Sequence, residues 1–142
     1  MSVKASKEFE LLRNVLSNQP FLRWIGVELI DAGPGWAREK LQIRPEFFQP
    51  HVVHGGVTYT LADTLTAHAV LTLTYPKEWV TTVEQKINFV RAVKSGSIVG
   101  QSRLVHMGNR IAVCEAEIMN DADQIVAKST ATLMRLPQTL TS

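Results

Sequence analysis

The sequence predicts an α+β domain in which a curved antiparallel sheet wraps around one long buried helix. Three observations predict it. Residues 55–73, nineteen in all, contain no Lys, Arg or Glu, and Asp63 and His68 are their only acid and histidine; such a stretch expects protein on every side. The second half of the chain is a series of strand-like runs separated by short polar breaks. Ahead of the long segment, Gly33-Pro34-Gly35 separates two further strand-like runs. An all-round apolar helix is most simply buried by a sheet folded about it.

In order along the chain, residues 4–17 read as a helix, with Phe9, Leu12 and Leu16 recurring at helical spacing. Asn18-Gln19-Pro20 stops it. Residues 25–32 and 36–43 read as a strand pair around the glycine-proline turn. Residues 47–53 look irregular, held by Pro45 and Pro50. Threonine and valine in the central segment favour strand, but its length favours a helix. Leu61, Leu65 and His68 or Ala69 share one face, and Tyr75-Pro76 marks the end. Residues 80–90, 96–106, 110–120 and 124–136 then read as a meander of four consecutive antiparallel strands. Ile125, Ala127, Ser129, Ala131 and Leu133 form the apolar face of the last.

At 142 residues the chain reads as one domain, 1–142, with an N-terminal helical segment at 1–20 and a tail at 137–142. A net charge of +2, with no basic stripe, argues against nucleic acid as a partner. Cys114 is the one cysteine, so no intrachain disulfide forms. His51 and His54 stand three apart without a third ligand in view, so no metal is expected. The start lacks an apolar signal core. Residues 57–74 carry Asp63, His68 and six threonines, which argues against a membrane span. A cytoplasmic location is expected.

A carboxylate in a segment that expects burial is costly, and catalysis is one reason to keep it. Gly55 and Gly56, at a helix start, offer backbone N–H groups backed by the helix dipole. Asp63 lies about two turns further on. His54-Gly55-Gly56, then Asp63 in Leu61-Ala62-Asp63, then Thr82-Val83-Glu84-Gln85 on a strand and His106-Met107-Gly108-Asn109-Arg110 at a turn, resemble the hotdog-fold acyl-CoA thioesterases. The subgroup is that of phenylacetic-acid-degradation and 4-hydroxybenzoyl-CoA thioesterases. The resemblance implies an acyl-CoA thioesterase whose chains pair edge to edge into at least a homodimer and commonly a homotetramer, with active sites at the dimer interface. It implies no cofactor beyond the coenzyme A of the substrate.

It also implies roles. Asp63 is general base or nucleophile, Gly55 and Gly56 polarise the carbonyl, His54 borders the site, and Gln49 and Thr82 position the water. Arg91, Lys94, His106, Gly108, Asn109 and Arg110 are the candidates for coenzyme A, and Tyr59 for the acyl group. Three positions depart from the family pattern. Gln49 sits one residue closer to His54, Ala67 stands where a hydroxyl is common, and Asn109 displaces the usual cation to Arg110. Two other functions remain open: a hotdog hydratase or dehydratase, which needs a histidine–carboxylate pair across the substrate and would use His68 or His54, and a non-catalytic acyl-CoA binder.

Overall fold

The fold follows from how the long helix is covered. The computed structural model describes residues 4–138; the first three residues of the expected N-terminal segment and residues 139–142 of the expected tail lie outside the described residues. Helices α1 (Lys7–Ser17) and α2 (Pro20–Ile25) precede strands β1 (Val27–Gly33) and β2 (Trp36–Gln42). A 3₁₀ turn at Pro45–Phe47 leads into the two-residue strands β3 (Phe48–Gln49) and β4 (Val52–Val53). Then come α3 (Gly55–Thr74), β5 (Glu78–Phe89), β6 (Ser97–Met107), β7 (Ile111–Met119) and β8 (Ile125–Pro137). This is the hotdog fold: a six-stranded antiparallel sheet around α3.

Ser6, not Lys4, opens α1. Its Oγ accepts the N–H of Phe9 at 3.0 Å and donates to the Ala32 carbonyl at 2.7 Å, tying the helix start to β1. Pro20 begins a helix as well as ending one. It occupies the first turn of α2, where its missing N–H costs nothing, and Gly26 closes α2 with φ of 95°. The strand expected from residue 25 therefore starts at Val27. The stretch expected to be irregular, 47–53, contains the small β3–β4 hairpin.

The expected meander is corrected. The sheet order is β1-β2-β6-β7-β8-β5, so β5 pairs with β8 at one edge and β6 pairs with β2. The connection from β5 to β6 is a crossing, because Val93 within it is buried and its carbonyl accepts the N–H of Val53 at 2.8 Å. An apolar residue that must reach the core drags the loop under the start of α3, which a tight hairpin would not allow. On β8, Ala127, Ser129, Ala131 and Leu133 face inward as expected. Ile125 does not, because the pairing with β7 shifts at Met119.

Leu61, Leu65 and Ala69 of α3 are fully buried in one core with Leu41, Ile98 and Leu133 of the sheet. Gly100 on β6 permits that contact: a Cβ there would lie 2.3 Å from Leu65 Cδ1 and 3.3 Å from the Glu117 carbonyl. Gly100→Ala is expected to lose roughly 1–3 kcal/mol of stability, read as a lowered urea midpoint. Among the described residues no helix is long and apolar enough to cross a membrane.

Candidate active site

Strand β5 runs antiparallel alongside α3, and its inward residues meet α3 from the middle to the start. Thr82 donates its Oγ1 hydrogen to Asp63 Oδ1 at 2.7 Å. Gln85 donates to the Tyr59 carbonyl at 3.3 Å, and the Tyr59 hydroxyl donates to the Gln85 carbonyl at 3.4 Å. The Phe89 ring lies against Gly55. A register shift between Thr82 and Glu84 in the pairing with β8 lets Thr82 and Gln85, three apart, both face the helix. Sequence reasoning missed Gln85, because alternation alone points it the other way; its Oε1 is buried with no partner among the described residues.

Asp63 is half-buried, not enclosed. It opens on a cavity of about 560 Å3 shared with Thr82, Tyr59, Thr60, Trp79 and Leu22. With Thr82 on Oδ1, Oδ2 has no hydrogen-bond partner among the described residues. The carboxylate is therefore oriented on one side and available on the other.

The start of α3 divides the two glycines. His54 is the N-cap, and its Nδ1 accepts the N–H of Gly56 at 2.8 Å. The expectation that both amides serve a carbonyl is corrected at Gly56: its N–H is taken by the cap, and its missing Cβ makes room for the His54 ring. The N–H of Gly55 has no partner among the described residues and sits at the positive end of a 20-residue helix. Gly55, Gln49 and Arg91 line a second cavity of about 400 Å3. His54 and Gly56 line a third with Arg44 and Trp24.

The other expected residues separate in the same way. Arg91 and Lys94 are exposed beyond the end of β5, and Arg91 donates to the Ile125 carbonyl at 3.3 Å. His106, Asn109 and Arg110 are exposed at the β6–β7 turn, at the opposite end of the sheet. Within one chain the structure does not bring these two groups together. The Gly108 carbonyl accepts from Arg135 at 2.7 Å, and Arg135 is paired with Glu78 at 2.7 Å. Arg135, which the sequence did not single out, braces that turn.

His68 does not face Asp63. It pairs with Glu39 of β2, and both side chains are buried, 1% and 0% exposed. The inward positions of β2 are Ala37, Glu39 and Leu41, so the alternation of that strand carried the signal for a buried acid in need of a partner.

A carboxylate on the long helix of a hotdog fold, with a free amide at that helix's start, is an arrangement able to polarise and hydrolyse a thioester. The comparisons agree. The chain belongs to the Thioesterase superfamily, whose profile matches residues 51–127. It is 31% identical over 121 residues to a Mycobacterium tuberculosis protein named "putative esterase", covering 82% of this chain and 86% of the other. The solved structure of a Haemophilus influenzae thioesterase superposes with a TM-score of 0.83 at 25% identity, covering 96% of each chain. The Escherichia coli PaaI protein of the phenylacetic acid degradation operon shares the fold, with a TM-score of 0.84 at 21% identity over 92% of this chain and 94% of its own.

Proposed function

We propose that the protein is an acyl-CoA thioesterase that works as a dimer, with Asp63 of one copy acting on a thioester carbonyl held by the Gly55 amide of the other. The observation that carries this reading is the separation of the two groups. Eight residues of helix put them about 12 Å apart along the axis, and they open into different cavities. One carbonyl carbon cannot be within reach of both in a single chain. Both cavities border β5, a 12-residue strand at the sheet edge with Val83 and Phe89 half-exposed. A long edge strand carries unpaired N–H and C=O groups and invites another strand. Two β5 strands paired antiparallel about a two-fold axis would set the start of one α3 beside the middle of the other.

In that arrangement the Gly55 N–H donates to the thioester oxygen as it gains negative charge. Oδ2 of Asp63 takes the proton of a water that adds to the carbonyl, or attacks the carbonyl carbon itself to form an anhydride that water then opens. The C–S bond breaks and coenzyme A leaves as a thiolate that is then protonated. Thr82 holds Oδ1 throughout. The same two-fold axis would bring Arg91 and Lys94 of one copy to the sheet end that carries the β6–β7 turn of the other, a cationic mouth for the coenzyme A phosphates. The reading includes a cytoplasmic enzyme without a resident cofactor, its dimers paired into a tetramer. A hydratase would need a histidine across from Asp63; His68 is bound to Glu39 and His54 caps α3.

The test is release of free thiol from a panel of aliphatic and aromatic acyl-CoAs, with the assembly size measured by light scattering. Turnover by a species of at least two chains is expected. A monomer that hydrolyses acyl-CoA, or a protein that turns over none of the panel, would refute the reading.

A further inference from the structure

The cavity that holds Asp63 has a polar far end with no part in the chemistry above. Glu39 and His68 meet behind it, out of reach of solvent. Burying a carboxylate so deep is costly, and Glu39 Oε2 has no partner among the described residues. The arrangement reaches the cavity through Gln19.

His68 Nδ1 is bonded to Glu39 Oε1. A carboxylate accepts, so Nδ1 carries the hydrogen. His68 Nε2 lies 3.3 Å from Gln19 Nε2. An amide nitrogen only donates, so Nε2 is the acceptor. The same amide nitrogen lies 3.5 Å from the Val15 carbonyl, which accounts for its second hydrogen. The reverse orientation would set the amide oxygen against the Val15 carbonyl oxygen, lone pair to lone pair. Gln19 Oε1 is left without a partner among the described residues, in a side chain that lines the Asp63 cavity. His68 lies five residues beyond Asp63, about 7.5 Å along the helix. Phe21, Leu71 and Trp79 supply apolar wall around it.

We infer that Glu39 and His68 lock the Gln19 amide with its oxygen available to the cavity, so that this enzyme prefers an acyl group carrying a hydroxyl several carbons from the thioester over one ending in plain hydrocarbon. The inference rests on the thioesterase reading for its substrate. Gln19 is the group that touches the acyl chain, and Glu39 and His68 are positioning residues. A hydrogen-bonding site left unpaired discriminates against the analogue that lacks the group.

The test pairs butanoyl-, hexanoyl- and octanoyl-CoA with their ω-hydroxy counterparts. The parent is expected to favour the hydroxylated member by about tenfold in kcat/KM at one or more lengths, the size of one hydrogen bond. In Gln19→Met that ratio falls toward one. His68→Phe combined with Glu39→Gln, which leaves no charge stranded in the core, lowers the ratio too. Glu39→Gln alone still accepts from Nδ1 and keeps it. A merely structural role would lower both members of a pair together and leave the ratio unchanged, and that result overturns the inference.

Two readouts do not depend on turnover. Nitrogen NMR of His68 is expected to show Nδ1 protonated and Nε2 bare; a proton on Nε2 with Nδ1 bare overturns the inference. Dissociation constants for the thioethers hexyl-CoA and ω-hydroxyhexyl-CoA should show the same preference. If no thioester is hydrolysed but the thioether preference holds and Gln19→Met abolishes it, the thioesterase reading fails while the assignment of Gln19 stands.

Discussion

Asp63→Asn is expected to lower kcat for acyl-CoA hydrolysis by about a thousandfold, the scale of a lost general base, while leaving KM and the unfolding midpoint close to those of the parent. The substitution is nearly isosteric. Thr82, 2.7 Å from Oδ1, can donate to the Asn oxygen as it does to the carboxylate, so the local hydrogen bond survives. What disappears is the free oxygen facing the cavity, which alone can take a proton from water or attack a carbonyl. Steady-state kinetics by thiol release, with a urea melt alongside, check the result. An Asn variant with more than about a tenth of the parent kcat would remove Asp63 from the chemistry.

Gly55→Pro should cost about a hundred- to a thousandfold in kcat, as expected for the loss of one preorganised donor to the developing oxyanion. The position admits proline on backbone grounds. It is the first residue of α3, where proline is favoured, and His54 before it is extended, with ψ of 134°, as the residue before a proline prefers. The added Cβ would meet Phe89 Cζ at 3.1 Å, the far end of a ring that is 54% exposed and free to turn. Gly55→Ala places the same Cβ there and keeps the N–H. The difference in kcat between the two variants therefore isolates the amide from the contact, and equal losses in both would show that the amide is not a donor to the substrate. Gly56→Pro would say less, since the Gly56 N–H is held by His54 Nδ1.

Much of this was legible in the chain. The stretch without Lys, Arg or Glu marks α3, and its two glycines and one acid lie at a spacing that shows as motif before it shows as geometry. The order of the strands was not legible. A polar break such as Lys94-Ser95-Gly96 looks like a hairpin, and only the buried neighbour Val93 says that the loop crosses to another strand. α2 was hidden because Pro20 serves as a stop and a start. At the site, Thr82 came from the family resemblance, and the structure places it on Asp63. Gln85 was concealed by the register shift beside it, since a period of two cannot register an extra residue. Glu39 was readable on the inward face of β2, but its partner lies 29 residues away, a separation that sequence pattern does not bridge. That Asp63 and Gly55 open into different cavities depends on how β5 and the loops cover α3, which spacing alone does not tell.

Whether the site spans two chains can be measured directly by pairing Asp63→Asn with Gly55→Pro. Each variant alone is expected to be nearly inactive. Co-expressed with different affinity tags and purified through both in succession, the heterodimer carries one site with both defects and one with neither. If Asp63 and Gly55 act from different copies, the heterodimer recovers about half of the parent's kcat per dimer. If they act within one copy, every site has a defect, and a heterodimer as inactive as either variant would contradict the shared site.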